Sequence, residues 1–252
     1  MRGDLTDLLR VEGLSKTFGG LRAVIDVSFG VAAGEILGLL GPNGSGKTTV
    51  LNLIAGALRA DRGRVRLGDA DITRAPASLR TRLGIARTFQ LVRPLPNLTA
   101  LENVLVARLY ARDRPSARRA RDDGLRLLGV VGLADKAAVP ASRLTLTERK
   151  RVEIARALAT QPRVILLDEP LGGLNPTEVD TMLDLFRRMR ADGATLVLVE
   201  HNVRAVRVLC DRVLVLNSGR TIAAGTPQEA LARPEVIQVY LGTSPAARGV
   251  LP

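Results

Sequence analysis

A glycine-rich loop with one lysine, and two adjacent acids far along the chain, are the residues best suited to do chemistry here. Positions 41 to 49 read Gly41-Pro42-Asn43-Gly44-Ser45-Gly46-Lys47-Thr48-Thr49: a glycine, four free positions, then glycine, lysine and threonine. That spacing is the pattern of a phosphate-cradling loop. Its flanks fit the context such a loop needs. Glu35 to Leu40 is short and apolar like a buried strand, and Thr49 to Ala55 suits a helix. Between strand and helix, glycines let the backbone curl close to an anion, amide N–H groups and the helix N-terminus point at it, and Lys47 adds a full charge. Thr48 is placed to put its hydroxyl on Mg²⁺. The loop is therefore expected to hold a nucleoside triphosphate.

The acids follow a second apolar run, Val164 to Leu167, which ends in Asp168-Glu169-Pro170. Ligands collect at the carboxyl ends of strands in open α/β sheets. There Asp168 suits the hydration shell of Mg²⁺, and Glu169 suits the orientation and polarisation of an attacking water.

The rest of the chain must bring these groups together. Val11 to Phe18 and Ala23 to Phe29 alternate as paired strands do, and Val65 to Leu67 with Ile72 extend a β-rich opening. Leu101 to Val131 changes to helical periodicity, punctuated by Pro115, and Thr147 to Thr160 predicts another helix ended by Gln161-Pro162. Val164 to Leu167, Leu196 to Val199 and Val213 to Leu216 are continuous apolar runs, as in parallel strands buried on both faces. The expected fold is α/β: a nucleotide-binding domain over residues 8–243 with an antiparallel β subdomain and a helical insertion over about 91–160, then a short tail at 244–252.

Composition narrows the setting. The 252 residues are enough for a substantial core, and no stretch approaches the roughly 18 apolar residues of a membrane span. The start, Met1-Arg2-Gly3-Asp4, lacks the apolar region of a secretory signal, and the single cysteine, Cys210, fits a reducing compartment. A cytoplasmic protein is expected. One cysteine and one histidine, His201, leave no zinc cluster. The net charge of +12 would admit an anionic partner, but two tyrosines, four phenylalanines and no tryptophan offer little surface for stacking bases. Nucleic acid is not an expected partner.

In order, the glycine loop, Phe89-Gln90, the strand ending Asp168-Glu169-Pro170 and the strand ending Val199-Glu200-His201 resemble the ATP-binding cassette ATPases, over about Leu9 to Gly242. The resemblance implies ATP and Mg²⁺ as ligands and hydrolysis of ATP as the reaction. It implies that Gln90 touches Mg²⁺ and senses a transmembrane partner, that His201 hydrogen-bonds the γ-phosphate, and that Phe18 stacks on adenine. Leu171 to Pro176 would be the loop that crosses the interface of a cassette dimer. Gly84-Ile85-Ala86-Arg87-Thr88-Phe89-Gln90, Asn97 to Val104, Gly173 to Glu178, Glu200 to Val203 and Pro234 to Gly242 are similar to the ATPases of branched-chain amino-acid importers. Urea or amide importers and lipopolysaccharide exporters use closely related ATPases and stay open as alternatives, as does a soluble cassette acting on nucleic acid or ribosomes. A transporter ATPase would sit on the inner face of the membrane, bound to integral permease subunits and a second cassette, and would serve a periplasmic or extracellular binding protein indirectly. The permease is expected to touch Leu91 to Asn103, read as a shaped loop because of Pro94, Pro96 and Asn97.

One stretch departs from the family. Its signature loop of leucine, serine, two glycines and glutamine is replaced by Leu144-Thr145-Leu146-Thr147-Glu148. In the family dimer that loop presses on the partner's γ-phosphate. Leu146 and Thr147 are expected to hold the backbone away, and Glu148 to bring negative charge towards it, offset in part by Arg149 and Lys150. The chain is therefore expected to work best in a heterodimer with a different cassette.

Overall fold

The opening strands pair as their alternation requires. In the computed structural model, which describes residues 7–88 and 94–241, β1 (Leu9–Phe18) and β2 (Leu21–Val31) run antiparallel, with Leu9 opposite Val31 and Phe18 opposite Leu21. The chain continues through β3 (Ile36–Leu40), α1 (Lys47–Ala55), β4 (Arg62–Leu67), β5 (Ala70–Asp71), α2 (Ala77–Leu83) and β6 (Ile85–Arg87). Three helices follow: α3 (Ala100–Leu109), α4 (Ala117–Val130) and α5 (Leu146–Ala159), which pack on one another. Then β7 (Val164–Asp168), α6 (Pro176–Ala191), β8 (Thr195–Val199), α7 (Val203–Leu209), β9 (Arg212–Asn217), β10 (Arg220–Gly225), α8 (Pro227–Leu231) and α9 (Pro234–Leu241) complete the described chain.

Among the described residues the strands form two sheets. One is antiparallel, in the order β2-β1-β4-β5; the other runs β10-β9-β3-β8-β7-β6, parallel except for the antiparallel edge strand β10. The apolar runs are continuous because both faces of the parallel sheet are covered. Alternate residues go to different cores: Leu37, Leu39, Leu166 and Val197 pack with α1 and the antiparallel sheet, whereas Ile36, Leu40, Ile165 and Leu198 pack with the helices of the other face. The sequence expectation of a loop from Leu91 to Asn103 needs correction. Thr99 caps α3 by accepting from the Glu102 amide, so Ala100 to Asn103 are helical. Asn103 is fully buried, its amide bonded to Leu95, Leu98 and Thr99, and it presents nothing to a partner. Leu91, Val92 and Arg93 lie outside the described residues, as do 244–252.

The two ends of α1 are treated differently. Gly46, its N-cap, supplies no side-chain bond, so the first-turn amides remain open. At the other end the Arg80 guanidinium, 3 % exposed, donates to Leu53 O at 2.6 Å and Ile54 O at 2.8 Å, to Ala75 O at 2.9 Å and to Thr73 O at 2.7 Å. A cation on the final carbonyls of a helix satisfies them and complements its dipole. Replacing Arg80 with methionine keeps the stem but strands these carbonyls. Urea unfolding should register a loss of about 2–4 kcal/mol; a loss of surface size, under about 0.5 kcal/mol, would show that the cap is not holding α1.

Candidate functional site

The glycine loop leaves β3 and enters α1 in a conformation that leucine or alanine could not follow. Gly41 has φ of 145°, and a Cβ there would lie 2.2 Å from Leu216 O and 2.5 Å from Ser45 Oγ. At Gly46, φ is 103° and a Cβ would lie 2.4 Å from Ala23 O. Both glycines are thus needed by the loop's packing on neighbouring strands, before any ligand is considered. Lys47 folds over the loop and donates to Gly41 O at 2.7 Å and Pro42 O at 2.8 Å. Burial holds its pKa below the ordinary lysine value, while the Glu169 and Asp168 carboxylates pull the other way.

Adjacent strands bring the acids and the histidine to the same end of the sheet, because β3, β8 and β7 lie side by side and parallel. Phe18, Gly41 to Thr49, Glu169 and His201 line one open cavity of about 970 Å³. Phe18 closes one end; it is 43 % exposed, with Lys16 Nζ 5.5 Å from its ring centroid. Glu169 follows β7 with φ of +48°, a left-handed conformation that is rare for a residue with a side chain and concentrated at functional sites. Its backbone is held by Val199 O, which accepts from its amide at 2.9 Å, and by the Gly172 amide, which donates to its carbonyl at 3.2 Å. His201 keeps a side chain 63 % exposed, standing on Glu200, which is fully buried. Glu200 accepts from the amides of Leu171 at 2.8 Å and His201 at 3.2 Å, joining the two loops; burial raises its pKa and these amides oppose that.

Asp168 sits behind Thr48. Its Oδ1 accepts from Thr48 Oγ1 at 3.4 Å, and its Oδ2 accepts from Arg87 Nη2 at 2.8 Å. Arg87 also donates to Asn52 Oδ1 on α1. One carboxylate oxygen is thereby clamped and the other is turned to Thr48. A hydroxyl and a carboxylate are the hard oxygen donors that Mg²⁺ takes, so this pair fits the ion. Gln90 and Phe89 lie outside the described residues. Arg87 and Asn52 were not legible as site residues in the sequence, since no spacing rule links positions 52, 87 and 168.

The ABC transporter family model matches residues 24–172. The chain is 39 % identical over 249 residues to the high-affinity branched-chain amino acid transport ATP-binding protein LivG of Escherichia coli K12, covering 93 % of this chain and 98 % of that one. It belongs to the ABC transporter family, as an ATPase cassette. A second model, the branched-chain amino acid ATP-binding cassette transporter, matches residues 220–246. BraF of Pseudomonas aeruginosa is 37 % identical with the same share of this chain covered, and the lipopolysaccharide export system ATP-binding protein LptB of Acidithiobacillus ferridurans is 40 % identical over 94 % of it. Among solved structures, the ADP conformation of MJ1267, an ATP-binding cassette of an ABC transporter, superposes with a TM-score of 0.86 at 33 % identity, covering 94 % of this chain and 99 % of that one.

In this cassette the altered signature turns inward. Thr145 caps α5 and Glu148 closes the box, accepting from the Thr145 amide at 2.9 Å, with Lys136 Nζ 3.7 Å from its other oxygen. Within the chain the Glu148 carboxylate serves its own helix end. Thr147 donates to Glu178 Oε1, and Leu146 lies so close to Gly173 that a Cβ there would come within 3.2 Å of it. Lys150 is buried rather than facing Glu148, and donates to Glu169 O at 3.4 Å; burial lowers its pKa.

The Arg87–Asp168 pair is buried, with side chains 8 % and 2 % exposed. Removing one partner leaves the other charge without its main counter-ion. Arg87→Met should destabilise the cassette by about 3 kcal/mol, and adding Asp168→Asn should cost less than the sum of the single changes by about 1–3 kcal/mol. Chemical denaturation of the four proteins measures this; effects that add would mean the pair is not coupled.

Proposed function

We propose that this cassette binds ATP in the cavity between Phe18 and His201 and hydrolyses it to power import of branched-chain amino acids. The observation that carries this reading is the convergence of Phe18, the 41–49 loop, Glu169 and His201 on one cavity, with Asp168 within reach of Thr48. Phe18 stacks on the adenine. The open amides of α1 and of the loop receive the phosphates, and Lys47 exchanges a carbonyl of Gly41 or Pro42 for a phosphate oxygen. Thr48 and Asp168 would hold Mg²⁺, which would supply charge neutralisation when bound, and Gln90 is expected to add a further contact. Glu169 orients a water and takes its proton as the water oxygen bonds to the γ-phosphorus and the bond to the bridging oxygen breaks, releasing ADP. His201, anchored through Glu200 and 63 % exposed at its side chain, reaches the γ-phosphate.

The transporter role rests on the second cavity, about 740 Å³, whose lining includes Ala77, Thr81, Arg156, Thr48, Arg87 and Asp168. A permease segment seated there would lie against the groups that hold the metal site, which gives the differential contact that coupling requires. No helix among the described residues is long and apolar enough to cross a membrane, and the cassette works as a peripheral cytoplasmic subunit of 8–243 beneath two permease subunits. The match over 220–246 favours amino-acid import; the likeness to LptB makes lipopolysaccharide export the second reading. Because Leu146 stands 38 % exposed where glycine would let a partner's phosphate approach, a second cassette with an ordinary signature is the favoured dimer partner.

Two measurements test this. Lys47→Ala should abolish MgATP binding, whereas Glu169→Gln should keep it and lower turnover at least about 100-fold; equal loss of binding in both would remove Glu169 from the chemistry. The assembled transporter should also hydrolyse ATP faster with the partner cassette than with two copies of this chain; equal rates would reject the heterodimer.

A further inference from the structure

Side-chain polar atoms that are shut off from solvent and lack a hydrogen-bond partner include two hydroxyls among the described residues, Ser45 Oγ and Tyr240 Oη. Both residues line the cavity assigned to ATP. Ser45 belongs to the phosphate loop, and its idle hydroxyl is what such a loop presents to an anion. Tyr240 has no such explanation. It stands near the end of α9, which packs on α8 and β10, and its ring rests against the core beneath the parallel sheet. The Gly41 backbone lies beside the phenolic oxygen without making a hydrogen bond of normal geometry.

A buried hydroxyl with no partner costs stability, and phenylalanine would fill the same space without that cost. A tyrosine whose side chain lines a ligand cavity, and whose covered oxygen is idle in the nucleotide-free protein, is therefore a residue whose partner arrives with the ligand, once the backbone beside Gly41 shifts to uncover the oxygen. We propose that Tyr240 is a nucleotide-site residue whose hydroxyl donates a hydrogen bond to the phosphate chain of the bound nucleotide. This rests on the cavity being the ATP site. Burial pushes the phenol above its ordinary pKa, so at neutral pH the group is a neutral O–H donor. The consequence is that the C-terminal helix, far from the glycine loop in sequence, takes part in gripping nucleotide.

Tyr240→Phe tests it, since only one oxygen is removed. Thermal unfolding without nucleotide should give a midpoint equal to or above that of the wild type. Calorimetric titration with ADP, and with ATP in a Glu169→Gln background, should give a Kd raised about tenfold, the size expected for a hydrogen bond to a charged group. An unchanged Kd overturns the proposal. So does a lowered midpoint without nucleotide, which would mean that the hydroxyl already has a structural partner. If the protein with Tyr240 intact fails to bind either nucleotide, it is the assignment of the cavity that falls.

Discussion

The structure depends on one helix end that the protein itself does not satisfy. A helix leaves its first amides without partners, and most proteins close that end with a side chain. Here α1 starts at Gly46, which has no side chain to offer, so the amides are left facing the cavity. The opposite end is sealed by Arg80, which donates to the α1 carbonyls of Leu53 and Ile54 while Ala75 O and Thr73 O hold the rest of its guanidinium. The helix is thus finished at one end by the protein and left open towards the cavity at the other. Its dipole, the lysine folded across its loop and the glycines that let the loop pack under Leu216 and Ala23 all follow from keeping that end open.

The parallel sheet supplies the remaining groups for a topological reason. Strands that all point the same way deliver their following loops to one edge, so the ends of β3, β7 and β8 meet however far apart they are in sequence. Glu200 then fixes their relative height. Being fully buried, it must find donors, and it finds them in the amides of Leu171 and His201. A single carboxylate therefore ties the loop carrying the histidine to the loop after Glu169, and leaves the imidazole largely exposed.

Thr48 lines both cavities, and Asp168, which lines the second, accepts from its hydroxyl. The clamp of Asp168 by Arg87 joins β6, which precedes Gln90 in sequence, to α1 through Asn52. Movement of β6 would be felt at the carboxylate directly. The altered signature also makes contacts within the chain: Leu146 lies beside Gly173, Thr147 donates to Glu178 of α6, and Lys150 reaches the Glu169 carbonyl. Of the two side chains in place of glycines, Thr147 is buried by these contacts and Leu146 stays 38 % exposed.

Local order in the sequence determined the strands, the glycine loop, the acids after Leu167 and the histidine after Glu200, because each is set by periodicity or by neighbours a few residues away. Val11 to Phe18 pairs as its alternation says, and the three apolar runs lie in a parallel sheet with both faces covered. The helix at Ala100 to Asn103 was hidden behind prolines, since the Thr99–Glu102 cap that starts it is only a few residues past them. The direction of the Glu148 carboxylate, the Arg87 clamp and the place of Tyr240 on the cavity wall were decided by tertiary structure alone. Each depends on which backbone amide, carboxylate or carbonyl happens to lie opposite across a packed interface, and a linear sequence fixes no such distance until the sheet has closed over its two cores.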